Sequence, residues 1–319
     1  HMPCNILYVV VPCYNEQEVL GETSKRLNNK FQALIDAGTI SEQSRVVFVN
    51  DGSKDQTWNI IQELHRQSKR FSGINLSRNR GHQNALLAGL MTAKDHADMV
   101  ISMDADLQDD INAMDEMIVK YYEGCDIVYG VRSKRETDTA FKKLTAEGFY
   151  KMMNWMGANT VYNHADYRLM SKRALDGLAM FKEVNLFLRG MIGYQTDIVY
   201  YERSERFAGE SKYPLKKMIS FAIEGITSLS TKPIKMITHL GIFVFLFSFV
   251  ILLYSVIRHF LGYTVMGWTT TIVSIWAIGG LILLSLGVIG EYIGKIYMES
   301  KERPRYIIEE FINEERGYE

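Results

Sequence analysis

The sequence predicts an α/β fold: a doubly wound, mostly parallel sheet over residues 1–212, followed by a membrane-associated segment. Three observations predict it. Short apolar, β-branched runs alternate with stretches of helical period, the pattern of β-α-β units. Each run ends in a polar cluster, and open α/β sheets bind ligands beyond the carboxyl ends of their strands. Two long uncharged stretches, residues 240–257 and 261–290, then follow the alternating part.

Residues 6–11 form an apolar run ending at Pro12 and predict the first buried strand. Pro12-Cys13-Tyr14-Asn15-Glu16 turns out of it, and a helical pattern continues to about residue 37. Residues 46–49 predict a second strand, which ends in Asn50-Asp51-Gly52-Ser53-Lys54-Asp55. Gly52 suits a tight turn, and Ser53 or Asp55 can cap a helix that starts near Thr57. Ile74-Asn75-Leu76 is a short third strand, and residues 81–93 a third helix. Met99-Val100-Ile101-Ser102 is the end of a fourth strand and leads into Met103-Asp104-Ala105-Asp106-Leu107-Gln108-Asp109. Residues 126–131 give a fifth strand, with Arg132 at its end.

In extended chain, residues two apart point the same way, so Asp104 and Asp106 are expected to share one face at the strand end. Carboxylates held that close repel each other unless a cation lies between them. A hard, oxygen-loving ion, Mg²⁺ or Mn²⁺, suits that pair, with substrate phosphates and water completing its shell. A solvated acidic loop is the other reading of a lone D-x-D; the motifs around it decide between them.

The formal net charge of −1 gives no general attraction to a phosphate backbone, so nucleic acid is not a partner. Neither G-x-G-x-x-G nor G-x-x-x-x-G-K-[ST] occurs, so the dinucleotide and P-loop readings lose their main support. Cys4, Cys13 and Cys125 show no metal spacing and fit a reduced, cytosol-facing domain.

Residues 240–257 carry no charge and hold fourteen Leu, Ile, Val or Phe. On an insertion scale that is about −4 to −8 kcal/mol. Residues 261–290 are long enough for a second span. Lys232 and Lys235 precede the first stretch, Lys295 and Lys301 follow the second, and only Arg258 and His259 lie between. The positive-inside bias therefore places both termini and the sheet domain in the cytosol. The expected division is 1–212 for the sheet domain, 213–235 for an interfacial amphipathic region, 236–293 for two transmembrane helices (about 237–258 and 267–291) and 294–319 for a cytosolic tail.

Val11-Pro12-Cys13-Tyr14-Asn15-Glu16, Asn50-Asp51-Gly52-Ser53-Lys54-Asp55 and Met103-Asp104-Ala105-Asp106-Leu107-Gln108 together resemble the signature set of family 2 glycosyltransferases of the GT-A fold. With two spans after the sheet domain, the chain is similar to the polyprenyl-phosphate glycosyltransferases, the group of bactoprenol glucosyltransferase and dolichyl-phosphate mannose synthase. The resemblance covers nearly the whole chain. It implies a nucleotide-sugar site at Pro12, Tyr14, Glu16, Asp51, Arg78 and Asp104, and a Mg²⁺ or Mn²⁺ site at Asp104, Asp106 and Gln108. Asn79-Arg80-Gly81-His82-Gln83-Asn84-Ala85 is similar to the family's third-helix entry, whereas Asp109-Asp110-Ile111 departs from relatives that carry a proline there.

Arg206-Phe207-Ala208-Gly209-Glu210-Ser211-Lys212-Tyr213 resembles the family's G-E-S-K-Y segment, and Pro214 opens an amphipathic helical pattern suited to the bilayer interface. Arginine's planar fork suits phosphate, so Arg132, Arg135, Arg206 and Lys212 are the acceptor-phosphate candidates. Asp104, Asp106, Asp166 and Arg132 are the catalytic candidates. Asp166, in His164-Ala165-Asp166-Tyr167-Arg168, matches a family position near the acceptor. It is either a general base or a group that orients a basic residue. The expected reaction is inverting transfer of a hexose, glucose from UDP-glucose by resemblance, to undecaprenyl or another polyprenyl phosphate. The expected setting is the cytosolic face of a bacterial inner membrane, in a homo-oligomer that the resemblance makes a tetramer. A processive polysaccharide synthase is the rival enzyme, disfavoured because Q-x-x-R-W is absent. A membrane-anchored, non-catalytic nucleotide-sugar sensor is the rival outside catalysis.

Overall fold

A computed structural model describes residues 4–132, 151, 155, 164–180, 195–202, 223, 232–262 and 267–313. The chain divides into two compact units, one of residues 1–138, 161–212 and 304–319, the other of 139–160 and 213–303.

The first unit is built on an eight-stranded sheet. Its strands are β1 (Leu7–Cys13), β2 (Arg45–Asn50), β3 (Phe71–Leu76), β4 (Met99–Ser102), β5 (Ile127–Arg132), β6 (His164–Ser171), β7 (Thr196–Tyr201) and β8 (Ile308–Ile312), ordered β7-β5-β6-β4-β1-β2-β3-β8. The run β4-β1-β2-β3 is parallel throughout. Its helices are α1 (Leu20–Asp36), α2 (Thr57–Gln67), α3 (His82–Ala93), α4 (Ala113–Tyr122) and α5 (Lys172–Ala179). All seven residues of β1 are buried. Leu7, Val9 and Val11 face the core beneath α1, α2 and α4, while Tyr8 and Val10 face the core beneath α3 and α5. Burial on both faces is why this strand reads as a continuous apolar run.

The five expected strands are present, but the sheet is mixed. β6, which the sequence reading did not identify, lies antiparallel between β4 and β5. Its polar residues Asp166 and Arg168 fall on one face and pair with each other, so no apolar run marks the strand. β8 closes the other edge, antiparallel to β3. The chain end read as a tail therefore contributes a strand to the sheet. It is tied there by Ser77 N donating to Ile307 O (3.1 Å), Ser72 Oγ to Asn313 Oδ1 (2.7 Å) and Asn75 Nδ2 to Glu309 Oε2 (3.2 Å).

In the second unit, α6 (Lys232–Phe260) and α7 (Trp268–Ser300) touch one another and expose Phe243, Leu246, Phe247, Leu283 and Leu284. Among the described residues one stretch, Ala277–Ser300, is long and apolar enough to cross a membrane. The amphipathic pattern after Pro214 lies outside the described residues, apart from Ile223 and its last residues from Lys232 on.

Candidate active site

Three loops beyond the carboxyl ends of β1, β2 and β3 are stitched into one surface. Asn15, held at φ +54°, donates its N–H to Ser53 Oγ (2.9 Å) and accepts from Lys54 N through Oδ1 (2.9 Å). Glu16 N donates to Thr57 Oγ1 (2.9 Å), and Asp55 Oδ1 caps the start of α2 by accepting from Thr57 N (3.0 Å). Asp51 is buried, and its two oxygens accept from Arg80 N (2.7 Å) and Gly81 N (2.9 Å). This carboxylate fixes the entry to α3. Gly52 is needed at the same joint: its φ is +63°, and a Cβ there would lie 2.4 Å from Asn79 N. Pro12 is buried within β1, while Tyr14 and Arg78 are exposed and Glu16 is partly buried.

β4 ends at Ser102, so the period-two argument does not reach Asp104 and Asp106. The chain turns instead, with Leu107 at φ +59°. Asp106 is buried and its Oδ1 accepts from Gln108 N (3.2 Å), whereas the Asp104 side chain keeps 31% of its surface exposed. The antiparallel pairing of β4 with β6 ends at Ser102↔Arg168, so both chains leave the ladder at the same end, Asp104 from one and Asp166 from the other. What the structure brings together is therefore Asp104, Asp166 and His82, whose ligand atoms lie within 4.8 Å of one another.

His82 is the first residue of α3, delivered by Gly81 at φ +85°. Its Nε2 lies 3.2 Å from Asp166 Oδ2 and 3.6 Å from Asp104 Oδ1. The other oxygen of Asp166, Oδ1, accepts from Nη2 of buried Arg168 (2.9 Å). Burial pushes the Asp104 carboxyl up to about 6; His82 opposes this, and Asp109, Asp166 and Asp106 add to it. Burial pulls the His82 imidazole down, but the Asp166 hydrogen bond and the nearby carboxylates outweigh it, and the net shift is upward. A cluster with more carboxylates than cations fits a divalent ion, through oxygen donors with one imidazole at its edge.

Arg132 ends β5, and nothing of its side chain is described; Arg135, Arg206 and Lys212 lie outside the described residues. The sequence reading gave His82 no role. Its signal was a histidine directly after the glycine that opens α3, inside a segment already singled out.

The mixed α/β sheet carries a cluster of carboxylates beyond its parallel strand ends. The chain belongs to glycosyl transferase family 2, whose description matches residues 8–179. It is 52% identical over 307 residues to the uncharacterized glycosyltransferase YkoT of Bacillus subtilis, covering 95% of this chain and 91% of that protein. It is 41% identical to the bactoprenol glucosyl transferase of Shigella phage SfV, covering 94% and 97%. Among solved structures it is similar to mannosyl-3-phosphoglycerate synthase of Rubrobacter xylanophilus, with TM-score 0.47, 14% identity and coverage of 74% and 75%.

Proposed function

We propose that this enzyme transfers a hexose with inversion, glucose from UDP-glucose, to a polyprenyl phosphate of the undecaprenyl class at the cytosolic face of a bacterial inner membrane. The observation that carries this reading is the full-length likeness to a protein named bactoprenol glucosyl transferase, a likeness that runs through the apolar helices as well as the sheet.

The nucleotide end of the donor would lie along the stitched loops at Pro12, Tyr14, Glu16, Asp51 and Arg78, with Asp104 at the sugar. A divalent ion, Mg²⁺ or Mn²⁺, held by Asp104, Asp106 and Gln108 would neutralise the departing diphosphate. Arg132, Arg135, Arg206 and Lys212 are proposed to hold the acceptor phosphate. One of its oxygens attacks the anomeric carbon as the bond from that carbon to the diphosphate breaks, and the nucleoside diphosphate departs with the electron pair. A phosphate monoester has a second pKa of about 6 and is mostly dianionic near neutrality, so no base has to remove a proton. The two oxygens of Asp166 are engaged by Arg168 and His82, which supports an orienting role over a base.

Strand parity supports a two-span hairpin. β8 belongs to the same sheet as β1–β7, and a hydrogen-bonded sheet cannot have strands on opposite sides of a bilayer. Residues 213–303 therefore cross an even number of times. With α7 as one crossing, α6 supplies the other. Residues 213–235 as an interfacial helix, and assembly into a homo-oligomer, a tetramer by resemblance, complete the reading.

The test is to incubate membranes holding the enzyme with radiolabelled UDP-glucose and polyprenyl phosphate. Label should become lipid-extractable, depend on the added lipid phosphate and return to water on mild acid. Label captured in a polymer, or retained only as enzyme-bound nucleotide, would overturn the proposal.

A further inference from the structure

Among the described residues His82 spans the gap between Asp104 and Asp166, and no chemical step proposed above uses it. The distances are 3.6 Å to Asp104 Oδ1 and 3.2 Å to Asp166 Oδ2. Four features set it apart from an incidental surface contact. Its backbone is placed by a buried device: the Asp51 carboxylate clamps Arg80 N and Gly81 N, and that turn presents His82 at the head of α3. Its partner Asp166 comes from β6, 84 residues away in the chain, so the pair joins α3 to the strand facing Asp104. Asp166 already has a cation in buried Arg168, so neutralising its charge does not require the imidazole. The His82 side chain is 43% exposed against 14% for Asp166, so the ring stands on the open side of the carboxylate.

We propose that His82 is a positioning residue for the transfer reaction: together with Arg168 it fixes the Asp166 carboxylate from both sides, and so sets the acceptor side of the site at a defined spacing from Asp104 on the donor side. This rests on the glycosyl-transfer reading. Arg168 alone leaves the carboxylate free to turn about its bond to Cβ; a second hydrogen bond on the other oxygen stops that rotation. Reactions between two bound substrates are sensitive to such errors, and a misplacement of about 1 Å can cost about 100-fold in rate. With the imidazole on the open side and Arg168 already paired with Asp166, the contact itself adds little to folding.

The experiment is a double-mutant cycle on the full-length, membrane-reconstituted enzyme with wild type, His82→Ala, His82→Gln, Asp166→Asn and the double variant His82→Ala/Asp166→Asn. For each, kcat and both KM values are measured, together with thermal midpoint and the half-saturating Mn²⁺ concentration. The expected result is that His82→Ala lowers kcat by about 10- to 100-fold, with donor KM and thermal midpoint nearly unchanged. His82→Gln, whose amide N–H can still reach Asp166, should recover part of the loss. The double variant should be no slower than Asp166→Asn alone, because coupled residues are not additive. Losses that multiply in the double variant would overturn the proposal. So would a His82→Ala enzyme that regains full kcat at high Mn²⁺, since His82 would then be a metal ligand. The wild-type arm distinguishes this from the functional reading: if wild type glucosylates another acceptor, the lipid-phosphate assignment falls, and the cycle is read with that acceptor.

Discussion

The Tyr201 hydroxyl donates a 2.6 Å hydrogen bond to Asp109 Oδ1, and both side chains are buried. Beside it, Tyr167 stands edge-on to Tyr201 with ring centroids 5.2 Å apart, and its hydroxyl donates to Asp110 O (2.9 Å). Two tyrosines from β6 and β7 thus fasten the loop that leaves the D-x-D motif, the loop whose turn at Leu107 carries Asp106 and Gln108. Tyr201→Phe should destabilise the first unit by about 1–3 kcal/mol, the cost of taking a donor from a buried carboxylate. It should also raise the metal concentration needed for half-maximal turnover, as the loop loosens. Thermal unfolding and a metal titration read both effects; a variant as stable as wild type would mean the bond contributes nothing.

The metal reading makes its own demand. Excess chelator should abolish transfer, and Mg²⁺ or Mn²⁺ should restore it. Asp106→Asn should lose at least about 100-fold in kcat with the fold intact, the scale expected when several kcal/mol of charge stabilisation is removed. Undiminished turnover in chelator would remove the ion from the mechanism.

Much of this architecture is legible in the chain because the strands β1 to β4 are buried on both faces. Val9, Val10 and Val11, or Val47, Phe48 and Val49, leave no room for another reading, and the loops that follow carry the polar clusters. The remaining strands are hidden for physical reasons. β6 places Asp166 and Arg168 on one face, where each satisfies the other, so the usual apolar alternation is broken by a pair that is stable only in the folded sheet. β8 is an edge strand with Glu309 and Glu310 in it, and an edge tolerates charge on its open side. The approach of Asp104 to Asp166 depends on an antiparallel register across 62 residues of sequence, which local pattern does not encode. Asp51 is legible from its motif, and the fold adds what the motif does not show: its carboxylate holds the backbone of Arg80 and Gly81.

The parity of the sheet gives a topological prediction. In a background lacking the native cysteines, Leu261→Cys, between α6 and α7, should react with an impermeant thiol reagent added outside intact cells. Glu310→Cys, in β8 and exposed, should react only after the membrane is opened. The opposite pattern would invert the orientation, and protection of both positions would mean that residues 213–303 do not cross.

A last prediction concerns acid. Asp126 is buried between β5 and α5, where its Oδ1 accepts from Ser171 Oγ (2.8 Å) and Arg173 Nε (3.1 Å) and its Oδ2 from Arg173 Nη2. The Arg173 hydrogen bond, with burial opposing it and Ser171 reinforcing it, holds this carboxyl below its ordinary value. A carboxyl whose pKa is lower folded than unfolded binds fewer protons in the native state. Its contribution is therefore fully present above the ordinary value of about 4 and is lost as pH falls through the folded value. Arg173 is 74% exposed, so solvent screens part of its attraction, and Ser171, whose hydroxyl also caps α5 by accepting from Ala174 N, reinforces it. Asp126→Asn should cost about 1–2 kcal/mol at pH 7 and less at pH 3, where the unfolded wild-type carboxyl has begun to bind a proton and the contribution of its lowered folded value shrinks. Denaturant midpoints of the two proteins at both pH values measure this directly. A penalty of equal size at pH 7 and pH 3 would show that packing, not charge, makes Asp126 matter.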